Sequence, residues 1–151
     1  MKPLPRKTAC HLAVSLACAL AALTGSQSLA QDTAAAPALA IELNSADQQD
    51  NACRLTFVAH NGLGADLETA VFETVLFSTD GAVLKLTLFD FQALPTGRPR
   101  VRQFDVPGAQ CAAIGQVLIN GVHKCSGDGI ANTDCTAALQ TKTRTDIEVM
   151  G

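Results

Sequence analysis

Three arginines at alternate positions, Arg98, Arg100 and Arg102, are the residues of this sequence best placed to act on another molecule. Residues two apart on an extended strand share a face, so the three guanidinium groups would form one cationic stripe. Such a stripe suits docking of an acidic protein or an anionic envelope polymer. The bland alternative is a charged strand edge that discourages edge-to-edge aggregation.

Other residue types that carry chemistry are present without the spacing chemistry needs. Beyond residue 30 the histidines are His60 and His123, and neither belongs to a metal-ligand pattern. His60 ends an alternating segment on its polar side. His123 lies two residues before Cys125, where packing beside a disulfide is expected. Met150 is the single methionine past the leader, which does not suit a methionine-rich copper carrier. The serines there are Ser45, Ser78 and Ser126, and no Gly-x-Ser-x-Gly, Ser-x-x-Lys or His-Glu-x-x-His motif occurs. Asp90 stands between Phe89 and Phe91, yet alternation sends it to the opposite face, toward solvent or a turn cap. Asp128, Asn132 and Asp134 form an oxygen-rich run that departs from an EF-hand loop. Turn chemistry and helix capping by Asp134 account for it. No metal or cofactor is expected.

The cysteines read as structural. Cys10 and Cys18 belong to the leader, and Cys53, Cys111, Cys125 and Cys135 remain, an even number with three pairings open. Cys125 with Cys135 is favoured, because a Gly-Asp-Gly loop between them makes closure local. Cys53 with Cys111 would then tie an early strand to a later corner.

Compartment follows from the amino terminus. Lys2, Arg6 and Lys7 precede an uncharged apolar run from Leu12 to Leu23, and Ser28-Leu29-Ala30 offers small residues at the positions a signal peptidase reads. The run is far shorter than the roughly 20 residues that span a bilayer. Residues 1–30 are therefore expected to be a signal peptide cleaved after Ala30, leaving a periplasmic or secreted protein with no stable membrane insertion. Oxidising surroundings suit the disulfides. Three of the 11 basic residues fall in the leader, so 8 face 14 acidic residues in the remainder. That negative balance disfavours nucleic acid as a partner.

The elements that must position these residues are strands. Residues 31–40, rich in Ala, read as a disordered tether, and 41–151 as one β-sandwich domain. A first short strand is expected over Ala38 to Leu43. Ala52 to His60 alternates with Cys53, Leu55, Phe57 and Ala59 on one side. Leu67 to Ser78 and Val83 to Phe91 form a hairpin about Thr79-Asp80-Gly81, with Leu84, Leu86 and Leu88 on one face. Further strands are expected over Arg98 to Val106, Val117 to Lys124 and Thr141 to Val149. Helical corners are expected over Ala109 to Ile114 and Asp134 to Leu139. About seven short strands spaced near ten residues imply an all-β, two-sheet sandwich. Six phenylalanines, with no tryptophan or tyrosine, would fill the space between the sheets.

The run CRLTFVAHNGLGADLETAVFETVLFSTDGAVLKL, followed by LPTGRPRVRQFDVPGAQCAAIGQVLIN, resembles small exported proteobacterial proteins of the FxLYD-like, immunoglobulin-like kind. The shared layout is a strand ending in Asn, a long strand, an Asp-Gly turn, and a Leu-Pro-x-Gly turn before a Phe-bearing strand. It spans roughly residues 40 to 125. Leu-Phe-Ser stands where that family's Tyr-Asp would sit. The resemblance implies an immunoglobulin-like sandwich and little about activity. Together these features lead us to expect a non-enzymatic accessory module that binds another cell-envelope protein. A small periplasmic hydrolase, or an inhibitor of one, is the alternative.

Overall fold

Apolar residues at every second position make most of this chain strand, and the computed structural model, which describes residues 36–151, has eight of them. The expected signal peptide lies outside the described residues. The strands are β1 (Leu39–Gln49), β2 (Ala52–Asn61), β3 (Leu67–Ser78), β4 (Val83–Asp90), β5 (Arg100–Pro107), β6 (Ile114–Gly127), β7 (Leu139–Thr143) and β8 (Glu148–Met150). A 3-10 turn, Cys111–Ala113, precedes β6, and one short helix, α1 (Asn132–Ala138), precedes β7.

Two four-stranded sheets result, ordered β5-β2-β1-β7 and β4-β3-β6-β8. Neighbours are antiparallel except for β1 with β7 and β6 with β8. The all-β sandwich expected from the sequence is present, with eight strands rather than seven. Ordered structure begins early: Leu39 already pairs with Asn61 and is fully buried, so β1 reaches into the stretch read as a tether. Its polar second half, Asn44 to Gln49, extends past the expected end at Leu43. There β2 still pairs with it past a register shift at Asn44, and its side chains are exposed or half-buried, with Ala46 against the core.

The segment from Thr141 to Val149 is not one strand. β7 joins the first sheet and β8 the second, with the chain crossing over between them. Hydroxyls build that crossing. Thr143 Oγ1 accepts from the Thr145 N–H at 3.0 Å, and Thr145 Oγ1 accepts from the Ile147 N–H at 3.1 Å. Threonines that suit a pleat also bend the backbone through such bonds.

Between the sheets lies a phenylalanine cluster. Phe57 meets Phe89, Phe91 and Phe104 with ring centroids 5.7–5.9 Å apart, and Phe72 meets Phe91 at 5.6 Å. Phe89 stacks on Phe104 at 4.2 Å. Edge-to-face contact suits the ring quadrupole, and burial of such rings dominates small cores. Gly81, at φ +86°, closes the β3–β4 turn in a conformation that disfavours a β-carbon.

Two disulfides clamp this core. Cys53 and Cys111 are bonded with 4.9 Å between Cα atoms, joining β2 to the 3-10 turn. Cys125 and Cys135 are bonded with 6.4 Å between Cα atoms, joining β6 to α1. Both spans lie within the usual range for a disulfide.

Candidate functional site

The two outer faces of the sandwich differ in kind. Directly opposed residues of paired strands share a face. On the first sheet most outward residues are polar and matched across strands, with Val58 and Val101 the apolar exception. Arg54 grips Asp105 through two bonds of 2.7 and 2.9 Å, Gln103 donates to Thr56 Oγ1 at 3.2 Å, and Arg144 pairs with Glu42. The Arg54 guanidinium holds the Asp105 carboxyl below its ordinary range, and Arg144 does the same for Glu42.

On the second sheet an apolar row runs across all four strands. Leu86 opposes Val75, Val75 opposes Leu118, and Leu118 opposes Met150. Val83 extends the patch beside Phe77, and Leu88 extends it beside Glu73. Leu86 is 65% exposed and Val83 63%. Scattered surface leucines need no explanation, whereas a contiguous apolar patch marks an interaction surface.

The row exists because phenylalanine won the interior. Strand β4 has Phe89 on one face and leucines on the other, and Phe89, with Thr87 and Lys85, turns inward opposite Phe72, Thr74 and Leu76. Leu86 and Leu88 are left outside. Leu84 falls at an irregularity in the β3–β4 register and leaves the face it was expected to share with them. It lines a cleft of about 360 Å³ with Leu76, Val106 and Pro107. A second cleft, of about 250 Å³, opens beside it between β4 and β5, lined in part by Lys85, Leu88, Phe104 and Asp105.

The arginines do not form one solvent-facing stripe. Arg100 opposes Ala59 and Arg102 opposes Phe57, so the face they share is the inner one. Arg102 closes the open side of the sandwich instead. Its Nε donates to the Phe91 oxygen at 2.7 Å and its Nη2 to the Ala93 oxygen at 3.2 Å. Arg100 reaches only the Pro99 oxygen, at 3.4 Å, and Arg98 lies exposed ahead of β5. The sequence spacing held, but it could not say which side of the strand was core.

His60 stands exposed on the first sheet. His123 falls where the β3–β6 register shifts, between the Val71–Lys124 and Phe72–Val122 pairs. It is exposed rather than packed beside the Cys125 bridge, with Nδ1 3.9 Å from Glu73 Oε1. That exceeds the reach of a hydrogen-bonded acid–base pair. Asp90 accepts from the Gln92 N–H at 2.7 Å and caps the turn after β4. Asn132 accepts from the Cys125 N–H at 2.6 Å and Asp134 from the Ala131 N–H at 2.8 Å, so both side chains serve the fold around α1.

Comparison with protein-family models, curated proteins and solved structures returns no match for this chain.

Proposed function

We propose that this chain is an exported, non-enzymatic β-sandwich that binds another protein of the cell envelope through the outer face of the β4-β3-β6-β8 sheet. The observation that carries the reading is the Leu86–Val75–Leu118–Met150 row. The ends of that row, Leu86 and Met150, are 65% and 39% exposed, with Leu118 half-buried and Val75 buried between them, and exposed apolar side chains gain by being covered, at roughly 25 cal/mol per Å² removed from water. The opposite sheet, where Arg54–Asp105 and Arg144–Glu42 are paired and the exposed apolar residues are confined to Val101 beside Val58, offers less. Export is supported by the basic-then-apolar amino terminus and by two disulfides, which persist in oxidising compartments. Among the described residues no helix is long and apolar enough to cross a membrane.

Affinity capture from an envelope fraction tests this. Wild type should retain a partner that Leu118→Lys loses, while Val101→Lys, an exposed apolar position on the other sheet, keeps it. Identical capture by all three proteins would remove the outer face from consideration.

A further inference from the structure

Four strands lie at the edges of the two sheets, and three of them carry protection against further pairing. β5 is flanked by Pro99, ends on Pro107 and bears Arg100 and Arg102; β7 is five residues long with Lys142; β8 is three residues long. Prolines, charges and shortness are the means by which natural sheets blunt their edges. Among the described residues β4 carries the least of these: it runs eight residues without proline, Lys85 is its one charge before Asp90, and Val83, Leu84, Leu86 and Leu88 are each at least 46% exposed.

Its backbone is also aimed outward. The Phe91 N–H donates to the Ala70 oxygen of β3 at 2.8 Å. Alternate residues of an antiparallel strand turn N–H and C=O to the same neighbour. Lys85, Thr87 and Phe89 therefore face β3, and the amides of Leu86 and Leu88 point to the open side. Edge donors, edge acceptors and exposed leucines coincide on the same residues.

We infer that β4 pairs antiparallel with β4 of a second copy of this chain, about a two-fold axis at Leu86. The charges select this register. With Lys85 on the axis, two ammonium groups would oppose each other; with Thr87 there, Leu84 would oppose Asp90. With Leu86 on the axis, Leu86 meets Leu86 and Lys85 meets Thr87 of the other copy, with no like charges opposed. Like charges directly opposite destabilise a strand pair and apolar pairs stabilise it. Two-fold pairing is isologous, so it closes at two copies instead of growing into a fibre. The two four-stranded sheets become one of eight, and the apolar row of each copy continues into the other. Partner binding at Leu118 does not depend on this pairing, so either can fail without the other.

Light scattering on the chain produced with its own amino terminus, disulfides formed, reads the mass directly. Wild type should run at the mass of two chains at high micromolar concentration, and Leu86→Lys, with an unchanged circular dichroism spectrum, at the mass of one. Leu86→Cys should yield a disulfide-linked dimer on non-reducing gels. Leu88→Cys, on the same strand and face but four residues from its own symmetry mate, should not. A wild type of single-chain mass throughout, or equal cross-linking at both positions, would overturn the inference.

Discussion

Arg102 on β5 donates from Nε to the main-chain oxygen of Phe91, 2.7 Å away, beyond the end of β4. One guanidinium thus spans from one sheet to the connection leaving the other, and its Nη2 reaches Ala93 of the same connection. Hydrogen bonds from a charged donor contribute about 1.5–3 kcal/mol. Arg102→Ala should lower stability by about 2 kcal/mol, read as a shift in the urea midpoint. Arg102→Lys should recover only part, because an ammonium lacks the planar fork. Arg98→Ala, at an exposed position, should stay within about 0.5 kcal/mol of wild type. Equal losses at both arginines would show that Arg102 has no bridging role.

The two disulfides close loops of very different size, with sequence separations of 58 and 10. Chain entropy in the unfolded state gives about 4 kcal/mol for the Cys53–Cys111 bridge and about 3 kcal/mol for Cys125–Cys135. Replacing Cys53 and Cys111 together by Ala should therefore be the more damaging change in urea unfolding. The reverse ranking would mean that α1, which only Cys125–Cys135 ties covalently to β6, matters more than loop length.

Arg54–Asp105 and Arg144–Glu42 give the first sheet a pH dependence of known sign. Each arginine holds its carboxylate partner below the ordinary range by hydrogen bonding first and charge second for Asp105, with hydrogen bonding again leading for Glu42. A carboxyl depressed in the folded state contributes stability above its unfolded pKa, and loses it as pH falls through the folded value. The urea midpoints of wild type and Arg54→Ala should differ at neutral pH and converge in acid. High salt should narrow the gap too, since both pairs face water. A gap that ignored both pH and salt would mean that Arg54 acts by packing its stem.

Much of this fold was legible because alternation and turn residues are local signals. β2 and β3, the Gly81 turn and the helical corner at Cys111 stand where period-two patterning and Gly or Asn breakers put them. What escaped was set by tertiary choice. The alternation in β4 separates Phe89 from Leu86 and Leu88, but it cannot announce which face is core; the phenylalanine cluster decides that, through Phe57 and Phe104, 32 and 15 positions from Phe89. The arginines of β5 show the same ambiguity from the polar side. Their spacing was readable, while their inward orientation follows from pairing with Ala59 and Phe57. The change of sheet at Thr145 rests on hydroxyl bonds that resemble strand propensity in sequence.

Asn61 carries the last prediction. It is fully buried at the end of β2, where Nδ2 donates to the Ala65 and Leu94 oxygens, both at 2.8 Å, and Oδ1 accepts from the Leu63 N–H at 3.0 Å. One amide thereby fixes the β2–β3 loop and anchors it to the β4–β5 connection. Asn61→Asp keeps the shape and the acceptor but turns two donor contacts into oxygen facing oxygen. At neutral pH a buried carboxylate without a cation beside it adds a desolvation penalty, so the loss should reach about 3 kcal/mol or more. Acid protonates that carboxyl and restores one donor, so the deficit against wild type should shrink as pH falls, opposite in direction to the intrinsic acid sensitivity from Asp105 and Glu42. Asn61→Ala, which has nothing to titrate, should show no such recovery. Parallel pH profiles for the Asp and Ala variants would mean that the buried amide is a space-filler and its hydrogen bonds are not what holds the two loops together.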